Sequence, residues 1–325
     1  MESQILPAFR EQLLERRQRL ETVATSMRGG DDVSRLLQEV DAALQRFERG
    51  TFGLCETCHD PIESERLLAD PMVRFCLDHL TAGEQRALEQ DLELASRIQR
   101  GLLPKDDTRA DGWEIVYHYR PFGAVSGDYC DLIPTGGGGA FVIVADVAGK
   151  GVAAAMLMSH LSALLRTLVS LGLPLDQMIE RASRVFAEST PATHYATLVC
   201  GRAEPGGAME VCNAGHPPPL VIRNDGIERV ESTGLPVGMF SNGRFSCVPV
   251  PLAPGDTLLL YTDGVIEALD RDGQEYGIDR LAAVAGSDRS QTPRQLVDAC
   301  AADLAAFAGP KGVFDDVTFM AVRRV

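Results

Sequence analysis

A chain of 325 residues, 45% of them hydrophobic, is long enough for two domains or for one large domain with additions. Its formal net charge of −15, with no basic block, argues against nucleic acid or an anionic membrane as a partner held by a positive field. No run of about 18 apolar residues suggests a membrane span, and Met1-Glu-Ser-Gln-Ile-Leu-Pro7 lacks the basic-then-apolar start of a secretory signal, so the expected location is the cytoplasm.

Eight cysteines in that compartment are not expected to form disulfides. Cys130, Cys200, Cys212, Cys247 and Cys300 lie in apolar segments and read as small core residues. Cys55, Cys58 and Cys76 crowd together.

In chain order, residues 3–27 carry a helical stripe, Leu6, Phe9, Leu13, Leu20, Val23 and Met27, broken only at Arg16. Gly29-Gly30 ends it, and Asp31 or Asp32 can cap a second helix with the stripe Val33, Leu36, Val40, Ala43 and Phe47. The pair reads as an antiparallel helical hairpin. Cys55-Glu-Thr-Cys58 and Cys76-Leu-Asp-His79 then give the spacing C-x2-C-x17-C-x2-H. Two such knuckles bring four soft or borderline ligands to one tetrahedral zinc, and a full set of protein ligands makes that zinc structural. Cys55-Glu-Thr-Cys58-His59 also matches a c-type haem motif, but that reading needs export and leaves Cys76 and His79 unexplained.

The stretch from Phe52 to Pro71, Phe-Gly-Leu-Cys-Glu-Thr-Cys-His-Asp-Pro-Ile-Glu-Ser-Glu-Arg-Leu-Leu-Ala-Asp-Pro, resembles the zinc finger of the DksA/TraR family. The resemblance covers about residues 1–82, with His79 where the family usually has a fourth cysteine. Family members of the DksA type reach into RNA polymerase with acidic residues at the hairpin tip, where Asp31 and Asp32 stand here; a helix cap is the simpler role for them.

Residues 83–107 form a linker whose helix carries the seam Leu88, Leu92, Ala95, Ile98 and Leu102, with Pro104 just beyond. A helix of this length is marginal alone, so the seam must be covered; it can pair with a second copy, making a homodimer, or pack on its own domain, and the sequence does not choose between them. Residues 108–325 have another texture. Strands are expected at 113–119, 141–145, 195–200, 209–212, 220–223, 245–250, 257–261 and 317–322, and helices at 152–189 and 278–308. This segregation predicts an α+β fold with packed sheets and outer helices.

Acidic sites recur at the expected strand edges: Ser126-Gly-Asp128-Tyr-Cys-Asp131, Asp146 before Gly149-Lys150-Gly151, Asp263-Gly264, and Asp315-Asp316. Carboxylates gathered without histidine favour magnesium or manganese. Two such ions about 4 Å apart can bind a phosphoryl group and activate water.

These motifs, with Asn213-Ala-Gly-His-Pro-Pro-Pro219, Gly234-Leu-Pro-Val-Gly238 and Tyr261-Thr-Asp-Gly-Val-Ile-Glu267, resemble the protein phosphatase 2C-like (PPM) superfamily in its SpoIIE/RsbU branch. Ala95-Ser-Arg-Ile-Gln-Arg-Gly-Leu-Leu-Pro104 looks like that branch's linker helix. The resemblance covers about residues 88–325 and implies an α-β-β-α sandwich and a two-metal serine/threonine phosphatase. It implies Asp128, Asp146, Asp263 and Asp315 as ligands of two Mn2+ or Mg2+ ions, with the Val147 carbonyl as a fifth. It also implies a phosphorylated anti-anti-sigma (STAS) protein as substrate, with the zinc module as regulator. Lys150 stands where the branch commonly has histidine, so no general acid is assigned; Lys150 itself reads as a solvated loop lysine and His216 as a loop-shaping residue. The rival function is a zinc-finger transcription regulator that contacts RNA polymerase and carries an inactive phosphatase-like domain.

Overall fold

The computed structural model describes residues 9–10, 13–14, 16–18, 20–21 and 31–325, apart from 64–65, 68–69, 81, 106, 111, 136, 192–193, 241 and 310–312. Leu6, Val23, Met27 and the Gly29-Gly30 break of the first expected helix lie outside the described residues, as do the side chains of Asp31 and Asp32. The chain divides into two compact units, Met1–Asp91 and Leu92–Val325.

In the first unit the described residues between 9 and 21 are helical, and a second helix, α1, spans Asp31–Glu48. Phe9 and Leu13 of the first stretch meet Val40 and Ala43 of α1 in a small core with Phe52, Cys55, Ile62, Leu67 and Cys76. Arg17 pairs with Asp41 at 2.8 Å across the two helices. Phe47 and Phe52 stack with centroids 3.7 Å apart. The guanidinium of Arg46 reaches out of α1 and donates to the carbonyls of Met72 and Val73, both at 2.8 Å, so it pins the chain entering the second knuckle. Helix α2, Ala82–Arg100, contains the boundary between the units.

The second unit runs β1 (Thr108–Ala110), β2 (Trp113–Arg120), β3 (Asp128–Pro134), β4 (Ala140–Val147), α3 (Gly151–Val169), α4 (Leu175–Ser189), β5 (Ala196–Ala203), β6 (Met209–Ala214), β7 (Leu220–Ile222), β8 (Ile227–Arg229), β9 (Val248–Pro249), β10 (Thr257–Tyr261), α5 (Asp263–Ile266), α6 (Gly277–Ala285), α7 (Pro293–Ala308) and β11 (Val317–Arg324). Two antiparallel sheets result, one ordered β1-β2-β11-β10-β7-β8 and the other β3-β4-β5-β6-β9.

Strand periodicity explains the layers. Val142 and Val144 of β4 face a core between the sheets, with Leu258 and Leu260 of β10 and Met320 and Val322 of β11. The alternate residues Phe141, Ile143 and Ala145 face outward to Met158, Leu161 and Leu165 of α3 and Ile179 and Phe186 of α4. On the opposite side Leu259, Tyr261, Phe319 and Ala321 pack on Leu281 of α6 and Leu296, Val297, Cys300 and Leu304 of α7. Strands buried on both faces read as unbroken apolar runs, and the architecture is the expected α-β-β-α sandwich.

Three differences from the sequence reading have physical causes. Strand β3 was not expected, because Asp128 and Asp131 interrupt its apolar pattern; it pairs one-to-one with β4 from Asp128↔Asp146 to Pro134↔Ala140. Asp131 is buried, and a two-pronged contact from Arg166 of α3, 2.7 Å to each oxygen, makes its charge tolerable there. The expected strand at 245–250 shrinks to Val248–Pro249, an edge position where proline's missing N–H costs nothing. Finally, α3 has the length and hydropathy of a membrane span, 1.6 on average over its window, although no such run was expected. Its Ala154, Met158, Leu161, Leu165 and Leu168 are buried against the sheet, which accounts for that composition.

Candidate metal centres

The first centre lies in the first unit. Chain reversals at both knuckles are set by backbone bonds: Cys55 N donates to Asp60 O, His59 N to Cys55 O, and His79 N to Cys76 O. Ligand atoms of Cys55, Cys58, Cys76 and His79 all lie within 4.8 Å of one another. Cys58 Sγ and Cys76 Sγ are 3.8 Å apart, and Cys76 Sγ is 3.2 Å from His79 Nδ1. A tetrahedral ion with bonds of about 2.3 Å places sulfur atoms about 3.8 Å apart, so the donors fit zinc in number, type and spacing. Burial works to raise the Cys55 thiol, yet the backbone N–H groups of Cys58, Cys76 and Thr57 hold it down to about 6, while Cys58, held down by the Asp60 backbone, is pushed up to about 11 by burial and by the Cys55 and Cys76 thiols. His59, the haem-motif residue, is outside the group.

The second centre is carboxylate-based, at one edge of the second unit. Asp128 and Asp146 are opposite partners on β3 and β4, and Thr197 of β5 is the next residue across. Asp263 opens the short helix α5 at the end of β10, and Asp315 and Asp316 immediately precede β11. Thus the ends of four strands bring the sequence motifs together.

Close packing of backbone makes the convergence possible. A Cβ on Gly127 would sit 3.0 Å from the Val147 carbonyl oxygen and 3.2 Å from Asp146 Oδ1. One on Gly264 would sit 2.1 Å from the Asp316 carbonyl oxygen and 3.0 Å from Asp315 Cβ. At Gly264 only glycine lets the segments touch, and at Gly127 a side chain would have to push its neighbours aside by a few tenths of an ångström.

The four acids have different supports. Asp128 is 1% exposed, and its Oδ2 accepts from Thr262 Oγ1 at 2.9 Å and Thr318 Oγ1 at 2.5 Å. Burial nevertheless pushes its carboxyl well above the ordinary carboxylate range, helped by the charges of Asp316 and Asp263. Asp146 is pushed up to about 9 by burial and then by Asp128, Asp263, Asp315 and Asp316. Burial and Asp315 raise Asp263 in the same way. Mutual repulsion among oxygen donors with no soft ligand is what a hard divalent cation relieves, and the donor set fits Mn2+ or Mg2+.

The sequence reading missed several supporting groups. Asp316 accepts from Phe122 N at 2.7 Å and Gly127 N at 3.0 Å, and so braces the loop ahead of Asp128. Gln99, 5% exposed on α2, exchanges two bonds with the backbone of Ser126: Nε2 donates to Ser126 O at 2.6 Å, and Ser126 N donates to Oε1 at 3.0 Å. Ser126 Oγ in turn accepts from Asp128 N at 3.0 Å. Thr262, Thr318 and Asp316 stand beside the chosen acids in the quoted motifs, but neighbouring position alone did not reveal their bonds. His216 shapes its loop: it is buried, Nδ1 lies 2.8 Å from Thr197 Oγ1, its own N–H donates to Asn213 Oδ1, and burial lowers its imidazole to about 3. Lys150 is exposed, as expected of a loop lysine, and also donates to Asp315 Oδ2 at 2.7 Å.

Comparison with known proteins agrees with this architecture. The family model described as Stage II sporulation protein E (SpoIIE) matches residues 136–325, and the prokaryotic dksA/traR C4-type zinc finger matches residues 50–78, which stops one short of His79. The phosphoserine phosphatase RsbP of Bacillus subtilis is 28% identical over 55% of this chain and 46% of its own length. A structure of the RsbU and RsbW domains of Rv1364c from Mycobacterium tuberculosis is 30% identical, with a TM-score of 0.57 over 68% of this chain and 63% of that one. The SiaA-PP2C domain of Pseudomonas aeruginosa, 20% identical, shares the fold with a TM-score of 0.66 over 75% of this chain and 99% of that one. Among the curated relatives matched over long stretches, the chain spans 41%, 46% and 66% of their lengths. With more than half its residues under the SpoIIE model, a PP2C-type sandwich and a dksA/traR-type finger ahead of it, the chain belongs to the SpoIIE family.

Proposed function

We propose that the second unit is a divalent-cation-dependent phosphatase for phosphoserine or phosphothreonine in proteins. The observation that carries this reading is the convergence of Asp128, Asp146, Asp263 and Asp315 on one edge, with Asp146 raised to about 9 by burial and by its acidic neighbours. These four carboxylates are read as the ligands of two Mn2+ or Mg2+ ions, with the Val147 carbonyl, close beside Gly127, as a further donor. When bound, the ions supply Lewis-acid polarisation of the phosphoryl group and a nucleophile at neutral pH. The protein's part is orientation. Thr262 and Thr318 fix the Asp128 carboxylate, Ser126 and Gln99 hold its backbone, and His216, neutral at physiological pH, holds Thr197 beside Asp146.

The likeness to RsbP, a phosphoserine phosphatase, supports the substrate type. On the family likeness we read the substrate as a phosphorylated STAS-domain protein in a cytoplasmic partner-switching pathway. The first unit is read as a regulatory module with one structural zinc on Cys55, Cys58, Cys76 and His79. The α2 seam supports a homodimer: Leu88 and Ile98 are exposed in the single chain, while the buried positions Ser96 and Gln99 lie off the seam.

The test is hydrolysis of an aryl phosphate with manganese, with and without chelator, followed by release of phosphate from a phosphorylated STAS protein. Manganese-dependent turnover of both is expected. Absence of any manganese-dependent turnover would return the chain to the rival reading, a zinc-finger regulator with an inactive phosphatase-like domain.

A further inference from the structure

We propose that Lys150 is a built-in counter-ion of the carboxylate centre, which a divalent cation must displace from Asp315. The proposal rests on the two-ion reading above and concerns how the ions are admitted.

Lys150 stands between Gly149 and Gly151, whose φ angles of 112° and 75° fold the chain after β4 back toward the acids. Its Nζ donates to Asp315 Oδ2 at 2.7 Å and to the Phe314 carbonyl at 3.1 Å, and lies 6.0 Å from the centroid of the Phe122 ring. Among the described residues it is the one base paired with any of Asp128, Asp146, Asp263, Asp315 or Asp316. Its ammonium is exposed and carries the ordinary positive charge of a lysine at neutral pH.

Asp315 Oδ1 accepts from Asp316 N at 3.0 Å, and Oδ2 accepts from Lys150. A divalent cation on Oδ2 would stand against the ammonium bonded to the same oxygen, and repulsion between the two positive charges sets them in competition for Asp315. The competition is reversible, because the Lys150 side chain is 63% exposed and sits on a flexible stem that can withdraw into water. A cavity of about 130 Å³ opens at this corner, lined by Lys150, Glu267, Phe314 and Asp315 among others.

It follows that the two ions bind unequally. The ion that needs Asp315 is the weaker, and Lys150 sets the cation concentration at which the centre fills. A histidine or a neutral residue at this position would not hold Asp315 with a permanent charge.

The test titrates the zinc-loaded 325-residue chain with Mn2+ and follows free Mn2+ by electron paramagnetic resonance, a readout independent of turnover. The variants are Lys150→Ala, Lys150→Arg, Asp315→Ala and the double variant Lys150→Ala/Asp315→Ala. Lys150→Ala should tighten the weaker of two sites by about five-fold, the scale of an exposed ion pair. Lys150→Arg, which keeps the charge, should stay near wild type, and in the Asp315→Ala background loss of Lys150 should change nothing. Unchanged or weaker binding in Lys150→Ala, with two ions still bound by the wild type, would overturn the role of Lys150 alone. A wild-type chain that binds no Mn2+ would remove the two-ion reading and this proposal with it.

Discussion

The zinc-type donors come from residues 55–79, whereas the carboxylates come from residues 128–315 and meet only at the ends of four strands. The first set is assembled by two local turns, and within it Cys55 is lowered while Cys58 is raised, so its thiols share charge between neighbours in the chain. The second set is assembled by the whole sandwich, and its acids are raised away from the bound form by their own crowding. A local, soft centre can hold a small segment together; a distributed, hard centre is held by the fold and stays strained until a cation relieves it. The difference matches a structural ion in one case and exchangeable ions in the other.

The largest effect should come from breaking the local centre. Cys76→Ser should release one zinc per chain by elemental analysis and unfold residues 50–80, since binding in finger-type sites is worth on the order of 10 kcal/mol. The melting of the second unit should not move. Loss of folding in both units would show that the contrast between local and distributed centres is wrong.

Next come the distributed acids. Asp146→Asn or Asp263→Asn should cut manganese-dependent turnover by on the order of a hundredfold or more, because each removes a ligand of the reacting centre. The cation-free protein should be at least as stable as wild type, since the amide replaces a carboxyl that burial and acidic neighbours make costly to ionise. Near wild-type turnover at saturating manganese would remove that residue from the ligand set.

The raised acids also set a pH dependence. Asp146 keeps its proton to about 9 in the folded, cation-free protein but loses it near the ordinary carboxylate value when unfolded. Across that window the folded state binds more protons, so its stability falls as pH rises. Thermal melts without manganese should drop between pH 6 and pH 8, and manganese should restore more at pH 8 than at pH 6. A restoration that does not grow with pH would disconnect Asp146 from the cation.

Smaller still is the loss of support around Asp128. Thr318→Val should weaken manganese binding by about ten- to a hundredfold while leaving the acids in place. Gln99→Leu should fall at or below the low end of that range, since it acts through Ser126. The least effect on the single chain is expected from Ile98→Glu, 58% exposed on α2. It should lower the dimer fraction in sedimentation and leave the fold of both units intact; an unchanged mass would exclude the seam as a dimer contact.

Much of this molecule was legible in its residues. The knuckles were legible because ligand spacing and local turns are written in consecutive positions. The sandwich was legible because strands covered on both faces leave apolar runs such as Phe141–Ala145 and Thr257–Tyr261. Strand β3 was not, because its buried Asp131 is tolerable only with Arg166, which arrives from a helix later in the chain. Asp128, Asp146, Asp263 and Asp315 could be named in sequence, but their supports could not. Whether a threonine bonds Asp128, whether Gln99 grips Ser126, and whether an exposed Lys150 also reaches Asp315 are questions of three-dimensional distance between segments far apart in the chain. The sequence by itself therefore determined which chemistry each centre can hold, since donor type is a property of single residues. Only the tertiary structure decided which donors meet, how strongly they repel and what braces them, because those energies depend on burial and separation that no local pattern records.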